Sequence, residues 1–542
     1  MHLQDFCPVE IDLPSSDYSK FGAEFSVRVP FISEPRGRIF WINEAWFDSL
    51  GVDITNTSVR DQIENWLITT FCIRTDGKFT DRQPFVEADR YGGTDGTAHG
   101  GSGRCIFRGR FNVKGAGPTP LIPIGAANHA DGKLGLIEAV RGTIYAELAH
   151  LETIKGAVRT VAIIALPPFD GPVNRRQCLL IRPNFIRPAH AERSIFFGTS
   201  GFAGSDQFTD HIRVQTVRAA FADARVSWET MATNAAMEIG SLDAVRMAQG
   251  RFTSSNMSIF GEVADFDSFR IFDTWTHLGN GKRGERRFGR ELDDLTYAAK
   301  SWAWRLGRVR LDREAVSRIT HESHRLGFIS TLRGLIPSWQ GKRETSQVKL
   351  SHYIWGVCNA NSEGYHGGEG SWLVHPDSDV REYLERAASL AQRFGFDTME
   401  SYVIAGRLQY WRQSRQSIQF TNINAAFEAL VCQSSSGIYT VSSWISDQVA
   451  VGRCLYRNLG DWLTPLFVVP SCRLLILFDS ESQQLLSAPI NDAEGGARSN
   501  PLEPCSVEAA VDMARSEDAR DNIDRRTIIL SAVQKLYLPG YR

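Results

Sequence analysis

Eight glycines fall between residues 90 and 115, at Gly92, Gly93, Gly96, Gly100, Gly101, Gly103, Gly109 and Gly115, a density that no helix or strand interior tolerates. The segment predicts turns and loops between short strands. Phe111-Asn-Val-Lys114 reads as a strand end and Gly115-Ala-Gly-Pro-Thr-Pro120 as an irregular exit, which leaves Lys114 at the strand terminus. From Leu136 to Leu151 the apolar residues Ile137, Val140, Ile144, Leu148 and Leu151 recur every three or four positions, so the spacing predicts a helix. Val158 to Leu166 is short, apolar and β-branched, and predicts a buried strand ended by Pro167-Pro168.

These parts make an α+β lobe over residues 1–170. Longer helical stretches at 212–238 and 291–306 predict a mainly helical second lobe over 171–340. Residues 341–542 read as a helical extension, with a helix over Val380 to Phe394, glycine-rich loops at 363–370, and a linker or surface loop at 490–504.

Composition narrows the partners. Lys and Arg number 60 against 62 Asp and Glu, so no global field attracts nucleic acid or an anionic membrane, and neither is expected as a partner. The nine cysteines are scattered without C-x-x-C spacing, as in reduced, buried thiols. No window approaches 18 uninterrupted apolar residues, and no basic-then-apolar leader opens the chain, so a cytoplasmic location is expected. The twelve histidines show no zinc spacing. A basic run from Lys282 to Arg290 reads as a solvated face.

The segment from Ser255 to Asp267 predicts two short strands turned at Gly261, bringing Asn256 and Asp265 to one end. An amide oxygen and a carboxylate together suit Mg²⁺ or Mn²⁺, hard cations that leave room for phosphate oxygens. A glycine-rich loop, a strand lysine, a helix bearing carboxylates and this hairpin follow one another in the order of parts of a protein kinase. The expected fold is therefore α+β, protein-kinase-like and two-lobed, with a mainly helical C-terminal lobe.

Several runs also resemble the selenoprotein O family of protein adenylyltransferases. Lys114-Gly-Ala-Gly-Pro-Thr-Pro120, Ala130-Asp-Gly-Lys133 and Val140-Arg141 are similar to the family's K-G-A-G-x-T-P, D-G-R and x-R-E. Ser255-Asn-Met-Ser-Ile-Phe-Gly261 with Asp265-Phe266 is similar to D-N-M-S-I-L-G and D-Y-G. Pro183-Asn-Phe-Ile-Arg187, Tyr91-Gly-Gly and Gly101-Ser-Gly-Arg104 resemble A-P-S-F-x-R-F-G, Y-G-G and G-D-G-R. The resemblance spans about 90 to 290 and implies a flipped ATP whose AMP passes to protein hydroxyls. It implies nucleotide contacts from Gly101, Gly103, Arg104, Lys114 and Arg187, metal ligation by Asn256 and Asp265, and catalytic roles for Lys114 and Asp265; Glu138 and Arg182 join the nucleotide contacts as substitutes, and Asp267 is the nearby carboxylate to accept the acceptor's proton.

The chain departs from that pattern at three positions. Ser255 stands where the family has an aspartate base, Gly142 where the lysine-pairing helix glutamate belongs, and Leu180 where the first phosphate-binding arginine belongs. Glu138 is the first candidate to replace the glutamate and Glu147 the second, while Arg182 is the candidate for the arginine. The family's C-terminal redox cysteines are absent, the last cysteine being Cys505.

Three functions fit this reading. The first is an ATP- and metal-dependent nucleotidyltransferase acting on a protein, peptide or small-molecule acceptor with release of pyrophosphate. The second is a ligase in which adenylation activates a carboxylate for amide formation. The third is a pseudokinase-like nucleotide-binding module.

Overall fold

The computed structural model describes residues 25–75, 84–92, 101–121, 131–169, 176–193, 207–245, 247–250, 252–271 and 290–335. Toward the C-terminus it also describes 463–469, 474–479, 484–489, 503–506 and a few single residues. The chain divides into two compact units. The first comprises Met1–Leu242, Ala248–Arg270 and Arg290–Gly327; the second comprises Asp243–Met247, Ile271–Gly289 and Phe328–Arg542.

The first unit opens with β1 (Ser26–Pro30), β2 (Ile32–Ser33), β3 (Arg38–Ile42), α1 (Glu44–Asp48), α2 (Thr57–Phe71) and β4 (Ile73–Arg74). It continues through β5 (Phe85–Asp89), β6 (Cys105–Arg108), β7 (Phe111–Lys114), α3 (Leu136–Glu152), β8 (Ala162–Ala165) and β9 (Cys178–Pro183). Seven of these strands form one antiparallel sheet in the order β1-β5-β6-β7-β9-β8-β3.

Strand alternation decides what each face of the sheet carries. Val27, Val29, Phe111, Val113, Leu179 and Ile181 share a core with Ile63, Trp66, Leu67 and Phe71 of α2. Phe111 anchors that core, meeting the rings of Trp66 and Phe71 edge-on, each at 5.3 Å. Burying side chains of this size is worth roughly 1.5–3 kcal/mol each. Lys114, Leu180 and Arg182 belong to the opposite alternation. In the β7–β9 register Lys114 faces Leu180 and Asn112 faces Arg182. The α3 helix packs on β8 and β9 through a stripe that includes Val140, Ile144 and Leu148, all buried.

The glycine-rich segment behaves as its composition requires, with β5, β6 and β7 separated by loops. Gly93, Gly96 and Gly100 lie outside the described residues.

Four helices follow: α4 (Gln207–Asp223), α5 (Trp228–Ala244), α6 (Arg290–Arg305) and α7 (Arg313–Leu335). Ser227 caps α5 by accepting from Thr230 N–H at 3.0 Å. Gly327 lets α7 meet α5, because a Cβ there would lie 2.0 Å from the Met237 carbonyl oxygen. Two short strands, β10 (Met247–Ala248) and β11 (Arg270–Ile271), pair between the helices. No helix among the described residues is long and apolar enough to cross a membrane.

In the second unit, β12 (Leu463–Val469), β13 (Leu474–Asp479), β14 (Gln484–Pro489) and β15 (Glu503–Cys505) form a four-stranded antiparallel sheet. A helical extension was the expectation for 341–542; of that range the described segments Leu463–Val469, Leu474–Asp479, Gln484–Pro489 and Glu503–Cys505 are sheet instead. Short apolar runs such as Leu474-Leu-Ile-Leu-Phe478 have no helical period, and periodicity alone does not separate them from buried helix. The expected Val380–Phe394 helix, the 363–370 loops, most of the 490–504 loop and the basic run before Arg290 lie outside the described residues.

Candidate functional site

The strand exit after Lys114 folds back on the glycine loop. Gly115 N–H donates to the Arg104 carbonyl at 2.8 Å and Thr119 N–H to the Gly103 carbonyl at 3.1 Å, while Thr119 Oγ1 donates to the Ser102 carbonyl. Gly117 is in the left-handed region at φ 126°, and a Cβ there would lie 2.0 Å from the Thr75 carbonyl oxygen. Gly101, at φ 146°, is closed in the same way by the Asp89 carbonyl oxygen. The K-G-A-G-P-T-P run thus holds Arg104, immediately before β6, beside Lys114 at the end of β7.

Two cations and three carboxylates converge there. Lys114 Nζ lies 3.0 Å from Asp265 Oδ1, 3.5 Å from Asp267 Oδ1 and 3.9 Å from Glu138 Oε1. Arg104 Nη2 donates to Asp267 Oδ2 at 2.6 Å and to Glu138 Oε1 at 2.8 Å. Burial alone would raise the Asp265 carboxyl, but Lys114, Arg104 and Arg182 outweigh it and hold that carboxyl well below the usual range. Glu138 moves the other way: burial raises it, the neighbouring Asp267 adds to the rise, and Arg104 and Lys114 oppose it. Asp265 is thus a fixed anion and Glu138 the readier proton holder.

Of the two α3 carboxylates considered for Lys114, Glu138 reaches the cluster. Glu147 instead accepts two hydrogen bonds from Arg159, at 2.9 and 2.7 Å, and one from Asn43 Nδ2 at 2.8 Å. Gly142 lies against Phe266, whose Cβ is 3.8 Å from where a glycine Cβ would be.

The segment expected as a hairpin is a tight turn closed by a single antiparallel bridge, Met257 to Val263, instead of two strands. Gly261 turns it at φ 92°, where a Cβ would come within 2.8 Å of the Asn234 carbonyl oxygen. Ala264 N–H donates to the Asn256 carbonyl at 2.9 Å, so Asn256 and Asp265 leave the turn side by side. Asp265 itself has φ 63°, a conformation that costs a non-glycine residue about 1–3 kcal/mol and gathers at functional sites. Gln249 Nε2 donates to its carbonyl at 2.6 Å and holds that backbone in place.

The donor set suits a hard divalent cation. Asp265 and Asp267 offer carboxylate oxygens and Asn256 an amide oxygen. Among the described residues no group of three or more His, Cys, Asp or Glu side chains could hold a metal. A cation here would take one or two protein carboxylates and complete its shell from phosphate and water, which is how Mg²⁺ is usually held.

Arg182 and Arg187 are buried as well. Arg182 Nε donates to Asn112 Oδ1 at 3.0 Å. Arg187 donates to the Ser255 carbonyl and stacks on Phe185 and Tyr91 at 4.0 and 5.1 Å. Ser255 Oγ shares a hydrogen bond with Thr253 Oγ1 at 3.0 Å.

Sequence reasoning did not single out Asp89, which is 1% exposed. Among the described residues neither of its carboxylate oxygens has a hydrogen-bond partner, and His190 Nε2 lies 3.9 Å from Oδ2. Burial pushes this carboxyl up to about 6 against the pull of Arg187 and Arg182. Its position next to the Arg90-Tyr91-Gly92 run was the only available clue, because the charges around it come from distant segments. The Arg159–Glu147 pair was equally hidden.

No protein-family model matches the chain, and neither does any curated protein.

Proposed function

We propose that the cluster around Lys114 is the phosphate end of a protein-kinase-like cleft. In this reading the chain binds ATP with Mg²⁺ or Mn²⁺ and transfers AMP to an acceptor hydroxyl with release of pyrophosphate. The observation that carries the reading is the meeting of Lys114, Glu138, Asp265 and Asp267 at 3.0–3.9 Å from one ammonium, the set of contacts a kinase-type phosphate site needs.

Asn256 and Asp265 would hold the metal, which when bound neutralises charge on the triphosphate. Asp265 stays ionised at neutral pH because Lys114, Arg104 and Arg182 hold its proton affinity down. Lys114 exchanges an aspartate oxygen for a phosphate oxygen, and Glu138 keeps the ammonium from leaving. Arg182 and Arg187 add guanidinium donors, whose fork geometry matches phosphate oxygens. Gly101 and Gly103 let the backbone approach the nucleotide closely.

In the chemical step the acceptor oxygen bonds to the α-phosphorus, and the bond from that phosphorus to the oxygen bridging toward the β-phosphate breaks. Pyrophosphate departs with that electron pair, and Asp267 takes the acceptor's proton. General-base assistance of this kind contributes about 10²–10⁴-fold. The choice of AMP over γ-phosphoryl transfer rests on the similarity of Lys114 to Pro120 to the adenylyltransferase strand exit.

One observation favours a second reading. Ser255, at the family's base position, is engaged through its hydroxyl with Thr253 and through its carbonyl with Arg187, an arrangement suited to a binding module that retains nucleotide without turnover.

ATP labelled at the α-phosphorus and ATP labelled at the γ-phosphorus, offered to the same acceptors, separate these readings. Label retained from the α-position with pyrophosphate release is expected. Label retained only from the γ-position, with ADP released, indicates a kinase, and no transfer from either supports the binding module.

A further inference from the structure

A second concentration of positive charge lies apart from the Lys114 cluster. A cavity of about 530 Å³ in the first unit is lined by Arg193, Arg218, Trp304, Arg305 and Arg308. Its volume is in the range that holds a small organic ligand. Arg218 comes from α4, Trp304 and Arg305 from the last turn of α6, and Arg308 from the turn beyond it.

Among the described residues, three of the four guanidiniums in this cavity lack a carboxylate within ion-pairing distance. The fourth, Arg193, pairs with Asp210 at 3.6 Å, which also pairs with the buried Arg213 at 2.8 Å. Glu192, the other nearby carboxylate, accepts from Trp302 Nε1 at 2.7 Å and Ser254 Oγ at 2.9 Å. Among the described residues Arg218, Arg305 and Arg308 have no carboxylate within ion-pairing distance. Burial lowers the Arg218 guanidinium, and the like charges of Arg305, Arg213 and Arg308 lower it further.

Two further features belong to a site built for an anion. Arg218 Nε is buried with no hydrogen-bond partner, and an unsatisfied buried donor is costly unless something accepts from it. Arg308 has φ 53°, a strained backbone for a side chain of its size. The preceding Gly307 fixes that turn, since a Cβ there would lie 2.7 Å from the Trp228 indole. Beside these cations Trp304 is 50% exposed, with the Arg310 guanidinium 4.6 Å from its ring centroid.

We propose that the Arg193–Arg218–Arg305–Arg308 cavity binds a small organic phosphate, with the guanidiniums taking the phosphate oxygens and Trp304 taking the ring or apolar body of the ligand. Guanidinium groups pair with phosphate oxygens in a bidentate fashion, and an exposed indole offers an apolar face to a flat group.

The test is titration calorimetry of the full chain with inorganic phosphate and with phenyl phosphate. Both should bind, phenyl phosphate about tenfold more tightly. The double variant Arg305→Gln/Arg308→Gln, changed at positions without a carboxylate partner among the described residues and checked by an unaltered thermal unfolding midpoint, should lose at least about tenfold for both probes. Trp304→Ala should remove only the phenyl advantage. Absence of binding up to about 10 mM, or binding that survives the double variant undiminished, would overturn the assignment.

Discussion

Lys114 Nζ lies 3.0 Å from Asp265 Oδ1, joining the end of β7 to a residue 151 positions later. In the proposed cleft this ion pair stands where a divalent cation and a phosphate oxygen would each take one partner. Triphosphate without a cation would face an ionised Asp265. ATP should therefore bind at least about tenfold more tightly with Mg²⁺ than with a chelator, and Asp265→Ala should abolish that difference. Equal affinity with and without metal in both proteins, measured by calorimetry, would remove Asp265 from the site.

The two α3 carboxylates should separate function from stability. Glu147→Ala leaves the buried Arg159 without its bidentate partner, and breaking such a pair costs about 3–5 kcal/mol. A large drop in the unfolding midpoint is expected. Glu138→Gln removes a part-buried partner of Arg104 and Lys114; it should leave the midpoint within a few degrees and weaken ATP binding.

Stability should fall as pH rises from mildly acidic to mildly basic. Burial pushes the Glu238 carboxyl from its ordinary 4.5 up to about 8, although Thr153 Oγ1 and Lys155 N–H both donate to it. The folded state therefore binds the extra proton. Its contribution is full below the unfolded value and is lost as pH climbs through the folded one. Asp89, pushed up to about 6, acts in the same direction over a lower window. Melting curves between about pH 5 and about pH 8 should show a declining midpoint, and Glu238→Gln should flatten most of the decline.

The turn at Gly261 should not accept a side chain. With φ 92° and the Asn234 carbonyl oxygen 2.8 Å from the added Cβ, Gly261→Ala should cost about 1–3 kcal/mol. It should also disturb Asn256 and Asp265 together. Chemical denaturation measures the first effect, and loss of metal-dependent ATP binding reports the second.

Much of the described first unit was legible because its signals are local. The apolar spacing of Ile137, Val140, Ile144 and Leu148 marked α3, and the glycine density before Phe111 marked loops between short strands. Glu138 could be nominated in place of Gly142 because residues four apart share a helix face. The bridge from Arg104 to Asp267 spans 163 positions, and no local pattern reports on a partner so distant. Nor could periodicity assign Glu147 to Arg159, since both choices for Lys114 were acidic residues on one helix. The β12–β15 sheet was missed because apolar runs of five or six residues fit either kind of element.

The β7–β9 register has a consequence for how such a cleft can diverge. Asn112 opposite Arg182 and Lys114 opposite Leu180 are neighbouring rungs on the same side of the sheet, about 6–7 Å apart along the strand. A guanidinium can hop from one rung to the next without any backbone rearrangement, whereas a single-residue hop would bury it in the aromatic core around Phe111. Gly142 and Glu138 are likewise about 6 Å apart along α3. Strand and helix thus act as toothed rules with nearly equal spacing, so a lineage can reposition both signs of charge by one tooth and alter which part of an anion it grips while the architecture stays fixed.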